Sequence, residues 1–297
     1  MKLNSVFVCW LIILLGFVTL LAQEDEVIKV DSSLVVLNAT ITDTTGNPVK
    51  NLKKNQFKVL EDGKEQTISF FETETIPFAA VILIDTSGSM ETRISIARAA
   101  AINFLDGLRI DDQVAIYNFD TKVSLVQEFS NSRDITPMAF ELKAYGYTAL
   151  NDAIFQAAEE LGKRDEKRRA IIVLSDGADN KSANSADKAL KAALASNATI
   201  YTVDMSEIDT GGRERMQNQG VLKNFAEKTG GKFLNTQGGV ALREAFKNIV
   251  EELGVQYTLG YSPTNTTKDG KWRTLELQVA KPNLTIRTRK GYNAPKN

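Results

Sequence analysis

Asp85, Ser87 and Ser89 fall within five residues around Gly88, where the apolar run Ala79-Ala80-Val81-Ile82-Leu83-Ile84 stops. One carboxylate and two hydroxyls at that spacing are hard oxygen donors of the kind that hold a small divalent cation such as Mg²⁺ or Mn²⁺. The same residues also suit a polar turn capping the next helix, with Ser89 or Asp85 as N-cap; spacing alone leaves both open. The apolar run reads as a strand buried on both faces, and α/β sheets bind ligands at the carboxyl ends of their strands. Two more stretches bear on the choice. Thr148, in Gly146-Tyr147-Thr148-Ala149-Leu150, precedes a helical pattern, where a threonine alone is an N-cap. Ile171-Ile172-Val173-Leu174-Ser175-Asp176-Gly177 is a second buried strand ending in a carboxylate, which alone is a turn former. Together these strand ends put Asp85, Ser87, Ser89, Thr148 and Asp176 along one rim of a sheet. Their two negative charges balance one divalent cation.

The elements that must position this rim follow from periodicity. From Val27 to about Ile76 the pattern is β, with strands at Leu34–Ile41, Phe57–Leu60 and Gln66–Phe71 and turns at Thr45-Gly46-Asn47-Pro48 and Glu61-Asp62-Gly63. From Phe78 to about Gly254 strands alternate with helices. The strands are Ala79–Ile84, Gln113–Phe119, Ala170–Leu174, Thr199–Val203 and Lys232–Leu234, with Lys122–Gln127 expected to form a hairpin with its predecessor. Helices are expected over Arg93–Leu108, Ala149–Leu161, Ser185–Leu194, Leu222–Thr229 and Leu242–Leu253. After Val255 the pattern returns to β, at Gln256–Tyr261, Thr274–Val279 and Leu284–Arg289. Three strands at either end are too few to stand alone. The expected fold class is therefore α/β: a doubly wound, mostly parallel sheet over 77–254, inserted into a small β-sandwich built from 23–76 and 255–297. Two separate decorations packed on the α/β block are the alternative.

Composition narrows the chemistry. The chain has no histidine, which removes His-based triads, His general bases and most zinc or non-haem iron sites. The single cysteine, Cys9, lies in the N-terminal apolar segment, so the folded body has no disulfide framework, iron–sulfur cluster or cysteine nucleophile. Any metal must be held by oxygen. A net charge of -1 without a basic, aromatic-interleaved cluster argues against nucleic acid as partner. Lys2, the apolar Val6–Leu21 stretch and Ala22 before Gln23-Glu24-Asp25-Glu26 read as an export signal over 1–22, with an uncleaved membrane anchor as the alternative. A periplasmic or secreted bacterial protein is expected. Sequons at Asn38, Asn180, Asn197, Asn265 and Asn283 matter only in a eukaryotic secretory path.

Asp85-x-Ser87-x-Ser89, Thr148 and Asp176-Gly177, in this order on this strand pattern, resemble the von Willebrand factor type A domain over roughly Pro77 to Gly254. All five positions match in type that family's metal-ion-dependent adhesion site. The resemblance implies a Rossmann-like fold with Mg²⁺ or Mn²⁺ contacted through the hydroxyls of Ser87, Ser89 and Thr148. Asp85 and Asp176 would act directly or through water, and a partner's Asp or Glu would complete the octahedron. Tyr147 departs from the family pattern, in which a small residue often stands, and a ring there would narrow access to the ion. The flanking motifs Asp43-x-x-Gly46-x-Pro48-Val49, Phe57-x-Val59-x-Glu61-Asp62-Gly63, Leu259-Gly260-Tyr261 and Arg289-Lys290-Gly291-Tyr292 resemble bacterial exported proteins related to this family, often from acidobacteria.

The other polar residues carry bland expectations. Asp179 and Asn180 should stabilise their loop, with the ion's outer shell as the alternative. Asp204 should be a turn or cap, Asp111-Asp112 should be solvated, and Met205–Gly220 should be a mobile loop near the metal face. The expected function is an exported, non-enzymatic protein-binding module that docks an acidic residue of a partner on its cation. The membrane is involved only through an uncleaved anchor. A metal-dependent hydrolase and an envelope component with a purely stabilising ion are the alternatives; against the former, Ser87 stands where an aspartyl-phosphate enzyme places its second acid.

Overall fold

A computed structural model describes residues 34–73, 76–135, 142–206, 212–235 and 239–296 of the chain. The expected export segment, with Cys9, lies outside the described residues. The strands are β1 Val35–Thr42, β2 Phe57–Glu61, β3 Lys64–Gln66, β4 Ile68–Glu72, β5 Phe78–Asp85, β6 Gln113–Phe119, β7 Val123–Ser130, β8 Arg168–Ser175, β9 Ala198–Asp204, β10 Phe233–Leu234, β11 Tyr257–Tyr261, β12 Trp272–Val279, β13 Thr285–Arg287 and β14 Gly291–Asn293. The helices are α1 Ile94–Asp106, α2 Leu150–Gly162, α3 Ala186–Ala195, α4 Arg213–Thr229 and α5 Gly239–Val255.

The central sheet runs β10-β9-β8-β5-β6-β7, parallel except for the β6–β7 hairpin. Alternation along β5 shows why it is buried throughout. Phe78, Ala80, Ile82 and Ile84 face a core shared with α1 and α5, while Ala79, Val81 and Leu83 face one shared with α2, α3 and α4. Both sides of the strand are apolar because both faces of the sheet are covered. The order also reverses direction beside β5: the chain goes from β5 to β6 on one side and later to β8 on the other. That makes the β5/β8 boundary a switch point, with the crevice at its carboxyl end.

The terminal strands pair with each other across the whole chain. β13-β1-β11-β4 and β14-β12-β2-β3 form two four-stranded antiparallel sheets around one core, which includes Leu37, Val59, Tyr257, Leu259, Tyr261 and Leu277. The flanking motifs find their place here. Glu61 is buried and its Oε2 accepts from the hydroxyls of Tyr261 at 2.6 Å and Tyr292 at 2.8 Å. The buried Arg289 guanidinium lies over the Tyr292 ring. Asp43 Oδ1 accepts from Thr45 N and Asn47 N, closing its turn. These motifs build the sandwich.

Three expectations change. Gln66–Phe71 is two strands, because Gln66 turns a corner: its side chain donates to Thr264 Oγ1 at 3.1 Å and accepts from Thr264 N at 3.0 Å, and the chain passes from one sheet to the other. The helix expected over Leu222–Thr229 begins at Arg213, so half of the expected Met205–Gly220 loop is helical; 207–211 lie outside the described residues. Its first two turns bury no apolar side chain, which hid them from periodicity. Asp112 is fully buried. It accepts from Phe78 N at 3.2 Å, Arg109 N at 2.9 Å and Arg109 Nη2 at 2.8 Å, joining the start of β5 to the turn before β6.

Candidate metal centre

β5 ends at Asp85 and passes through Thr86 and Ser87 into a short 3-10 turn, Gly88–Met90. Asp85 and Ser87 are buried, at 0% and 1% exposure. Asp85 Oδ1 accepts from Ser87 N at 2.9 Å, and Oδ2 accepts from Ser175 Oγ at 2.6 Å. Burial pushes the Asp85 carboxyl up to about 7; the bonds from Ser175 and Ser87 pull it back, and the charge of Asp176 adds to the rise. Among the described residues Asp85 forms no ion pair. A carboxylate kept here without a cation is costly to ionise.

Ser87 Oγ and Ser89 Oγ stand 3.1 Å apart. Octahedral Mg²⁺ with oxygens at about 2.0–2.1 Å separates adjacent ligands by roughly 2.9 Å, so the pair fits one edge of such an octahedron. Thr148 and Asp176 come from the neighbouring loops and join them. Ser87, Ser89, Thr148 and Asp176 line one cavity of about 830 Å³, and Asp85 lies behind Ser87. Among the described residues no three Asp, Glu, Cys or His side chains gather into a cluster, so a cation held here depends on the hydroxyls.

Thr148 is positioned by its backbone. Its N–H donates to Asn180 Oδ1 at 2.9 Å, and its carbonyl accepts from Asn180 N and Lys181 N, both at 3.0 Å. It does not cap α2. The N-cap position is Ala149, and the open helix end is satisfied by the next loop instead: Asn151 N donates to Asp179 Oδ2 at 2.8 Å and Asp152 N to Ser182 Oγ at 3.1 Å. The Thr148 hydroxyl makes no hydrogen bond among the described residues and remains available to a ligand. Asp179 is a loop residue, and Asn180 orients Thr148. Asp176 Oδ1 accepts from Ala178 N at 3.0 Å. Gly177, at φ +84°, brings this loop against α4; a Cβ on it would stand 2.6 Å from the Asn218 carbonyl oxygen.

α4 supplies the far wall, through Arg213, Glu214, Arg215 and Asn218. Asp204, buried at the end of β9, holds that wall: it accepts from Gln219 Nε2 at 2.6 Å, Ser206 N at 2.9 Å and Ser206 Oγ, and its Oδ2 lies 4.0 Å from Arg215 Nη2. Sequence reasoning passed over Ser175 and the tie from Asp204 to α4. Ser175 had one visible signal, a lone hydroxyl on an otherwise apolar strand beside Asp176. Tyr147 is 61% exposed and does not line the cavity, so the expected narrowing by its ring is not seen.

A doubly wound sheet with this rim defines a class, the von Willebrand factor type A domain. Residues 80–178 match the model of that family. An uncharacterized protein of Synechocystis sp. is 26% identical over 183 residues, which is 60% of this chain and 42% of that protein. The chain thus spans less than half the length of that relative. Among solved structures, a von Willebrand factor type A protein from Catenulispora acidiphila is similar at a TM-score of 0.50 and 15% identity, covering 83% of this chain and 76% of that one. A variant of the PilB minor pilin from Streptococcus sanguinis gives 0.50 and 16%, covering 61% and 62%. Three domains of the type V pili tip protein Mfa5 from Porphyromonas gingivalis give 0.50 and 12%, covering 88% and 68%. At these identities the likeness is one of fold.

Proposed function

We propose that the chain is an exported, non-enzymatic protein-binding module that uses Asp85, Ser87, Ser89, Thr148 and Asp176 to hold Mg²⁺ or Mn²⁺ and dock a partner's Asp or Glu on it. The observation that carries this reading is the 3.1 Å pair of Ser87 and Ser89 hydroxyls on a cavity shared with Thr148 and Asp176. Two carboxylates balance a divalent cation, and a partner's carboxylate then finds a positive, partly shielded ligand position. That two proteins of similar fold are by name a minor pilin and a pilus tip protein favours attachment over catalysis.

Calorimetry with Mg²⁺ and Mn²⁺ tests the site. The parent chain should bind one ion and Asp85→Ala none, with its far-UV circular dichroism unchanged. Equal binding by that variant would remove the assignment. Capture of a partner from envelope extract in Mg²⁺, lost in EDTA, separates docking on the ion from a purely stabilising ion. Metal-dependent phosphoester turnover that disappears in Asp85→Asn would replace the reading with a hydrolase.

A further inference from the structure

We infer that the β-sandwich carries a docking groove of its own, independent of the cation, for an acidic extended segment of a partner protein. The groove has a volume of about 660 Å³ and opens where the chain leaves one sheet for the other, at Gln66 and Thr67. Lys53, Lys54, Lys58 and Glu65 line it, together with Phe57 and Ile68, each only 7% exposed.

Strand pairing explains the opening. β3 covers β2 only from Val59 to Glu61, through Val59 opposite Gln66, Leu60 opposite Glu65 and Glu61 opposite Lys64. On its other side β2 pairs with β12 along its whole length, down to Phe57. Phe57 and Lys58 therefore have a strand on one side alone, because β3 ends at Gln66 and the chain continues as β4 in the other sheet. β4 is itself the outermost strand of that sheet, and it begins at Ile68. Open strand edges offer main-chain donors and acceptors that an added extended segment can take up.

Charge selects the occupant. Lys58 Nζ lies 2.8 Å from Glu65 Oε2, so the one acidic lining residue is already paired. Lys53 and Lys54 are exposed and form no ion pair among the described residues. A single edge lysine ordinarily serves only to keep copies from pairing. Here three lysines share one concavity with one glutamate, in a chain whose net charge is -1, so the positive surplus is local. Two unanswered ammonium groups beside open strand edges complement an extended segment that bears carboxylates. The lining offers no exposed aromatic ring for base stacking, which disfavours a nucleic acid. It offers no exposed large apolar side chain for insertion into a bilayer, which disfavours a membrane surface.

The test uses the whole chain in EDTA, so that no cation takes part, and two fluorescein-labelled peptides, Gly-Glu-Val-Glu-Val-Glu-Gly and Gly-Gln-Val-Gln-Val-Gln-Gly. Fluorescence anisotropy in low salt should show the glutamate peptide binding about tenfold more tightly, with the difference shrinking in high salt. Lys53→Glu/Lys54→Glu should remove the difference while leaving circular dichroism and Mn²⁺ affinity unchanged. A control, Lys191→Glu/Lys247→Glu, alters net charge equally at exposed positions of α3 and α5 and should preserve it. No binding of the glutamate peptide, equal binding of both, a difference that survives Lys53→Glu/Lys54→Glu, or an equal loss in the control overturns the inference. A dimer in sedimentation, or co-pelleting with phosphatidylglycerol vesicles, that Lys53→Glu/Lys54→Glu abolishes assigns the groove to a second copy or a membrane and overturns it too. Because every arm is read without metal, the cation reading stands or falls separately.

Discussion

Ser175 Oγ donates to Asp85 Oδ2 at 2.6 Å, from the end of β8 to the end of β5, and accepts from Gly177 N at 3.0 Å. One hydroxyl thus fixes the orientation of the most buried carboxylate at the rim and the start of the Asp176 loop together. Partners of this kind, behind a ligand, tune metal affinity strongly. Ser175→Ala should weaken Mn²⁺ binding by about tenfold to a hundredfold, read by calorimetry, with the fold retained. An unchanged affinity would show that Asp85 needs no such support.

Asp85 is buried with no cationic partner among the described residues, so without metal its charge opposes folding. In EDTA at pH 8, Asp85→Asn should melt no lower than the parent chain. Excess Mg²⁺ should raise the melting temperature of the parent, since a ligand bound to the folded state alone stabilises it, and leave that of the variant unmoved. A variant that melts well below the parent in EDTA contradicts this account.

Asp112 serves the fold. Its carboxylate takes both a β5 amide and the Arg109 guanidinium at 0% exposure. Asp112→Ala strands the buried Phe78 amide, while Arg109, 39% exposed, is solvated without its partner, so the change should cost about 1–3 kcal/mol in urea unfolding. Cation affinity of the folded fraction should match that of the parent.

Glu61 gives a parallel test in the sandwich. Two phenols donate to its Oε2, and its replacement by alanine strands the buried Tyr261 hydroxyl and the half-buried Tyr292 one. Glu61→Ala should destabilise by about 2–4 kcal/mol, taking roughly 1–3 per stranded group with partial relaxation, and leave Mn²⁺ affinity unaltered. A change in affinity would join the flanking motifs to the metal centre.

Gly177→Ala should act on both stability and the cavity. The position combines φ +84° with a 2.6 Å approach of the added Cβ to backbone of α4. A loss of about 1–3 kcal/mol follows from the strain. Because α4 walls the cavity, capture of a partner should weaken more than ion binding.

What was legible followed the strength of the local signal. β5 and β8 contain the continuous apolar runs Ala79–Ile84 and Ala170–Leu174, whose polar ends carry Asp85 and Asp176, and β9, though broken by two threonines, ends at Asp204. The grouping of Ser87, Ser89 and Thr148 could be read because strand ends in such a sheet share one rim. The start of α4 could not, since its first turns are held by Gln219 and Arg215 against Asp204, a long-range polar tie without periodicity. Asp112 looked solvated beside Asp111 because only the distant β5 amide of Phe78 and Arg109 make it a buried residue. The corner at Gln66 depends on Thr264, nearly two hundred positions away.

Arg168 opens β8, fully buried, opposite Phe78 at the start of β5. Its guanidinium donates to the carbonyls of Thr73, Leu253, Gly254 and Gln256, so one side chain grips the chain both where it enters the α/β block and where it leaves. The proposed ion-binding rim lies at the other ends of these same strands. With docking as proposed, the Arg168 anchor and the rim stand at opposite ends of the same two strands, so a pull on the partner reaches the sandwich along the length of β5.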